Sequence, residues 1–114
     1  VVTPASGAVV LIPFPFSDLS EAKLRPAVVS AEAGRGDWIL CQITGNPYGD
    51  TRAIELKDDC FDAGSLRTTS YARPGKLFTA NRRLMTTSVG LLKSDALLQV
   101  TEAVIAILRS GSAQ

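Results

Sequence analysis

Residues 8–12, Ala-Val-Val-Leu-Ile, form an unbroken apolar run rich in β-branched side chains, the pattern of a buried strand. Pro13-Phe14-Pro15-Phe16 then ends that strand, since each proline removes a ladder donor. Ser17–Leu24 is polar and reads as a mobile loop. Pro26–Ala31 is a second strand, and Ala33-Gly34-Arg35-Gly36 is a turn leading into a third, Trp38–Thr44. Gly45–Asp50 is dense in turn formers and predicts a loop. Thr51–Leu56 sets Ile54 and Leu56 among polar neighbours, which predicts a half-buried strand, whereas Asp58–Gly64 is acidic and turn-rich. Two further strand-like runs follow, Ser70–Thr79 and Leu84–Leu91, with Pro74-Gly75 a bend or bulge in the first.

The period then changes. Ser94 is a good N-cap with Asp95 in the first turn, and apolar residues follow at helical spacing. Leu97, Val104 and Leu108 fall on one face, Leu98 and Ile105 lie beside them, and Gly111 stops the helix. Short strands followed by one amphipathic helix predict a mainly β (α+β) fold, a small β-barrel or curled sheet capped by a C-terminal helix. With 114 residues and 12.1 kDa the chain makes one domain, residues 1–114. Its hydrophobic share of 46% suffices for a core, so disorder is excluded as the main state. No apolar run is long enough to span a bilayer and no secretory leader pattern is visible, so a cytoplasmic protein is expected.

Composition restricts the chemistry. With no histidine, the commonest general base and metal ligand is missing, and a Cys–His nucleophile is impossible. Cys41 and Cys60 are the only cysteines, too few for a four-ligand zinc site, and read as free thiols with Cys41 in the core. No metal or cofactor is expected. The net charge of +1 is unevenly spread: residues 1–62 carry −4, while residues 63–94 hold Arg67, Arg73, Lys76, Arg82, Arg83 and Lys93 and no acid. Six cations without an anion fit a polyanion footprint, or equally a solvated face that meets the acidic first half on folding. Tyr71 and Phe78 lie in this stretch and could stack on bases, although Phe78 suits the core better.

Polar groups stand at the ends of two apolar strands: Lys23-Leu24-Arg25-Pro26 enters the second, and Gln42-Ile43-Thr44 leaves the third. A strand end fixes the backbone while exposing the side chain, which is how a scaffold presents reactive groups. On spacing alone, Arg25 reads as a surface cation and Thr44 as a turn hydroxyl.

Gly7–Ser30, with its apolar strand, variable polar loop and Arg25-Pro26-Ala27-Val28-Val29, resembles the opening of the MazF/PemK family of toxin endoribonucleases from type II toxin–antitoxin systems. Ile39–Thr44 is similar to that family's next strand, which ends in Thr or Ser, and Tyr71–Thr79 to a later one. The resemblance spans roughly residues 7–109. It implies an SH3-like barrel of the CcdB/PemK kind, a homodimer, a cognate antitoxin protein, and metal-independent, sequence-selective cleavage of single-stranded RNA. By the same resemblance Arg25 and Thr44 are catalytic. Ser17, Asp18 and Lys23 border the active site on the loop, although Asp18 equally suits a turn cap. Gln42 and Tyr48 are candidates for base contact, and Arg73 and Lys76 for phosphate contact. Two departures stand out: Ala8 replaces the family's usual Asp, which implies altered activity if that Asp orients the loop, and Gly75 replaces a frequent acid.

One alternative keeps the fold and changes the task, as in the gyrase poison CcdB. That action relies on a C-terminal Trp-Gly-Ile, whereas the only tryptophan here is Trp38. A non-catalytic SH3-like module binding Pro-rich or acidic peptides is the other.

Overall fold

The computed structural model describes residues 3–15 and 22–112. Its strands are β1 (Ala8–Pro15), β2 (Ala22–Gly34), β3 (Asp37–Thr44), β4 (Ile54–Leu56), β5 (Phe61–Gly64), β6 (Ser70–Asn81) and β7 (Thr87–Leu92). Helix α1 (Ser94–Ser112) follows, and single 3-10 turns occupy Asp58–Cys60 and Arg82–Leu84. All strand pairs are antiparallel, in the order β4-β6-β3-β2-β1-β7-β5. The architecture is thus the curled sheet with a C-terminal helix that the pattern predicts.

Several boundaries differ from the sequence reading, for identifiable reasons. Strand β1 runs through both prolines to Pro15, pairing Pro13 with Leu24 and Pro15 with Ala22. The Leu11 carbonyl accepts bonds from the N–H (3.1 Å) and hydroxyl (3.2 Å) of Thr86, so the odd residues here aim their backbone groups at the β7 side. Pairing with β7 stops at Leu11. Pro13 and Pro15 therefore lack donors only where no ladder needs them. By pairing with this extension, Ala22–Leu24 join β2 and the expected loop shortens. The acidic stretch after Leu56 is not all turn, since Phe61–Gly64 pairs with β7.

The sheet is strongly curled. β1 and β6 are separated by two strands, about 14 Å across a flat sheet. Yet the Phe14 and Phe78 rings meet edge-to-face with centroids 4.8 Å apart. Residues of alternating phase feed two cores. Val9, Val28, Cys41, Ile43, Leu56 and Ala72 face α1, meeting Ala96 and Val100. Val10, Ile12, Ala27, Val29, Leu40 and Met85 form the second cluster on the other face, under Phe14, Trp38 and Phe78. Full burial of Val100 contributes about 1.5–3 kcal/mol.

The helix keeps part of its expected face, with Leu97 packed on the core and Val104 and Ile105 half-buried, and turns the rest. Its buried line runs through Ala96 and Val100, while Leu98 and Leu108 remain mostly exposed. Gly111 stays inside the last turn, because a glycine near a helix end costs only about 1 kcal/mol and leaves the backbone bonds intact.

The β5–β7 contact is the tightest backbone approach. Gly64 has φ +64°, and a Cβ there would overlap the Val89 carbonyl oxygen. Gly34 also has a positive φ, +100°, but a Cβ there meets nothing within 4 Å. Gly34→Ala is expected to cost about 1–2 kcal/mol of backbone strain. Gly64→Ala adds about 1–3 kcal/mol of overpacking. Urea midpoints of the two variants measure the difference, and equal midpoints would contradict this account of the β5–β7 contact.

Candidate functional site

Strands β2 and β3 pair Ala27 with Gln42 and Val28 with Cys41. Opposed residues of an antiparallel pair share a face, and every second residue repeats it. Lys23, Arg25, Gln42 and Thr44 therefore all lie on the face of Ala27, away from α1. Carried two residues past Ala27, the register sets Arg25 level with Thr44. Ile12, which pairs with Arg25, and Tyr71, which pairs with Thr44, complete the row. Lys23 and Arg25 are exposed, and Gln42 and Thr44 half-buried.

Strand β6 breaks step beside this row. Leu77 pairs with Cys41 and Ala72 with Ile43, so Arg73–Lys76 lie opposite Gln42 alone. This is the bulge expected at Pro74-Gly75. Pro74 is fully buried, and the Cys41 thiol donates to the Arg73 carbonyl at 3.1 Å. Burial pushes the Cys41 thiol up to about 12, against the opposing effect of its bond to Arg73, with the Asp50 charge adding to the rise.

The connection from β3 to β4 is fastened at both ends. Thr44 Oγ1 donates to the Asn46 carbonyl (3.0 Å) and accepts the Asn46 N–H (3.2 Å). Asn46 Oδ1 accepts the Tyr48 N–H at 2.9 Å, holding Tyr48 at φ +53° with its side chain outward, 75% exposed. Asp50 Oδ1 accepts the Arg52 N–H, while Asp50 Oδ2 and Arg73 Nε form an ion pair at 3.0 Å. The Arg73 hydrogen bond, followed by that from the Arg52 N–H, holds the Asp50 carboxyl below its ordinary value of 3.8.

The structure thus gathers Lys23, Arg25, Gln42, Thr44, Arg73 and Lys76 at one end of one sheet face, with Tyr48 on the adjoining loop. Arg73 is engaged by Asp50 and the Thr44 hydroxyl by its own turn. Ser17 and Asp18 lie outside the described residues. Phe78 packs on the second cluster, as expected. Ala8 is buried there four residues along β1 from Ile12, about 13 Å away. At Gly75 a Cβ would approach only Ile107, at 3.8 Å. Asp50 escaped the sequence reading, because its partner is 23 residues away and only the β6 bulge brings them together. Among the described residues no cluster of His, Cys, Asp and Glu could hold a metal, and no helix is long and apolar enough to cross a membrane.

Comparison with known proteins bears on the fold and the family. The family model described as PemK-like, MazF-like toxin of type II toxin-antitoxin system matches residues 5–108. Among solved structures, a MazE-MazF complex from Deinococcus radiodurans superposes with a TM-score of 0.75 at 17% identity, covering 94% of this chain and 97% of that one. An endoribonuclease in complex with its cognate antitoxin, from a mycobacterial species, gives 0.68 at 12% identity, covering 92% of each chain. The Mycobacterium tuberculosis toxin MazF-mt6 gives 0.61 at 15%, covering 83% and 91%. At these identities the likenesses show a shared fold. No curated protein matches by sequence.

Two outcomes follow from the bonded groups. Native protein at pH 8 is expected to take up iodoacetamide at half-buried Cys60 and not at Cys41, whose thiolate is suppressed until unfolding; mass spectrometry of the alkylated peptides reads this. The unfolded chain protonates Asp50 near 3.8, above the folded value, so the Asp50–Arg73 pair stabilises at higher pH and its contribution is lost as pH falls through the folded value. The stability gap between wild type and Asp50→Asn should therefore be full at pH 7 and close below pH 3.8; a gap unchanged at pH 2 would contradict the pairing.

Proposed function

The chain belongs to the PemK-like, MazF-like toxin family of type II toxin–antitoxin systems, and from that premise we propose that it is a metal-independent, sequence-selective endoribonuclease acting on single-stranded RNA. The observation that carries the reading is the register that sets Arg25 level with Thr44, on an exposed face with Lys23 and Lys76 nearby.

In the proposed reaction the ribose 2′-hydroxyl gives its proton to solvent water as its oxygen bonds to the adjacent phosphorus, the bond from phosphorus to the 5′-oxygen breaks as that oxygen takes up a proton, and a 2′,3′-cyclic phosphate and a 5′-hydroxyl result. Negative charge grows on the non-bridging oxygens of the pentacoordinate phosphorus. A guanidinium braces two such oxygens at once, and this is the role of Arg25. It is not the base, because a charged guanidinium has only donors and no lone pair to take up a proton. As acid it delivers a proton to the leaving 5′-oxygen. The Thr44 hydroxyl turns from Asn46 to the phosphate, exchanging one exposed hydrogen bond for another at a net cost within about 1 kcal/mol. Gln42 and Tyr48 contact bases, with the exposed Tyr48 ring held by its turn as a stacking platform. Lys23 and Lys76 supply phosphate contacts, while Arg73 holds the Tyr48 loop through Asp50. Ser17 and Asp18 belong to the same RNA-contacting segment. The protein works in the cytoplasm as a homodimer, and a cognate antitoxin silences it by covering the basic face.

Incubation of purified protein with a long RNA in EDTA, with the cut ends mapped, tests this reading. Discrete cuts bearing 5′-hydroxyl ends are expected, with Arg25→Ala slowing cleavage by about 10²–10³ and Arg25→Lys restoring little, since an ammonium lacks the fork. Intact RNA from folded wild-type protein would overturn the reading.

A further inference from the structure

The six-cation stretch is only partly used by the site above: Arg82 and Arg83 lie at the other end of β6. There the 3-10 turn after β6 is locked to the β2–β3 hairpin. The Arg82 N–H donates to the Gly36 carbonyl at 2.8 Å, Asn81 Nδ2 to Asp37 Oδ1 at 3.1 Å, and the Arg83 N–H to Asn81 Oδ1 at 3.0 Å. Arg35 sits at the hairpin tip with φ +57°. The two turns enclose a cleft of about 310 Å³ lined by Arg35, Arg82, Arg83 and Trp38, with Glu32 also in its wall. All three arginines are exposed, and among the described residues none of them forms an ion pair. Two backbone-fixed turns thus hold three guanidinium groups around a half-buried indole.

The cleft is aligned with the candidate site. Trp38, Leu40, Gln42 and Thr44 share one face of β3, which places Trp38 about 20 Å from Thr44. Between the ends lies an apolar cleft lined by Phe14, Phe78 and Leu84. Leu84 belongs to the same 3-10 turn as Arg82 and Arg83, so the two clefts adjoin. One path along β6 therefore runs from the cations of the bulge, past paired aromatic rings, to arginines beside an indole. Cations that follow a phosphate backbone, alternating with aromatic surfaces for bases, are the chemistry of single-strand binding.

We propose that the Arg35–Trp38–Arg82–Arg83 cleft is a second RNA-binding site, which holds a nucleotide of the substrate strand remote from the cut, its base on Trp38 and its phosphates on the arginines. The proposal rests on the endoribonuclease reading for its ligand. It implies that the enzyme grips RNA over at least the roughly 20 Å between Thr44 and Trp38.

Trp38 is the only tryptophan, so its fluorescence reports on this cleft directly. The probes are 2′-O-methyl RNAs, which lack the nucleophile: a mixed-sequence strand of about fourteen nucleotides and a trinucleotide, which at about 3.4 Å per stacked nucleotide cannot cover 20 Å. AMP and polyglutamate serve as competitors, and cleavage of ordinary RNA by wild type is followed in parallel. The long strand is expected to quench Trp38 and the trinucleotide to leave it unchanged at occupancies verified by anisotropy. Arg82→Ala with Arg83→Ala should lower long-strand affinity about tenfold and flatten its log–log salt slope by about 1.4, at about 0.7 per phosphate contact. Arg35→Gln gives the same direction if the double variant does not fold, melting temperature being the check.

RNA cleavage with silent Trp38 and unaltered affinity in the variants would overturn the second site and leave the enzyme reading standing. Trp38 quenching without cleavage would do the reverse. AMP or polyglutamate filling the cleft more tightly than the long strand would make it a nucleotide or acidic-protein site, and would also overturn the proposal.

Discussion

The Cys41 thiol, buried between strands, donates to the carbonyl of Arg73, and the candidate site depends on that contact. It anchors the point where β6 leaves its register with β3, and Pro74, itself buried and without an N–H, packs into the gap. Four residues stand where one would suffice, so the strand turns Arg73 toward the β3–β4 loop before regular pairing resumes at Leu77. A thiol is a weak donor, but this one is kept protonated by its surroundings up to about 12. From Arg73 the constraint passes to Asp50, from Asp50 to the loop, and from the loop to the orientation of Tyr48. A buried thiol in the core thus sets the shape of a solvent-exposed surface.

The sheet's curl contributes in another way. Because Phe14 and Phe78 meet across two intervening strands, the face away from the helix is apolar along its middle and polar at its ends. Val10, Ile12, Ala27, Val29 and Leu40 lie beneath those rings. One end gathers the β2 cations and the end of β3; the other gathers the hairpin and the turn after β6. Core packing therefore separates two polar regions on one surface, a direct consequence of strand alternation along β3.

Much of this was legible from residue pattern. Ala8–Ile12, Trp38–Thr44 and the post-Ser94 period announce their elements, because burial demands apolar runs of the right length and phase. Arg25 and Thr44 were legible as strand-end polar groups, and the resemblance singled them out. What escaped has a common cause, in that local sequence does not state which strand will lie alongside. The prolines of β1 read as a stop, since nothing nearby tells that their missing donors face a side where β7 has ended. Phe61–Gly64 reads as turn because its two glycine-mediated contacts with β7 are encoded far away, at Gly90. Asp50 reads as one more turn former, and the folded structure makes it the counter-ion of Arg73.

The strand order leaves β4 and β5 outermost, only three and four residues long. β4 covers only Ser70–Ala72 of β6, however, so among the described residues Leu77–Asn81 pair with β3 alone and present an open edge, while Lys57 beside Glu55 charges the β4 flank. Sheet extension by an incoming strand, a common way for one protein to capture another, therefore finds a stretch to use among the described strands, the outer edge of β6.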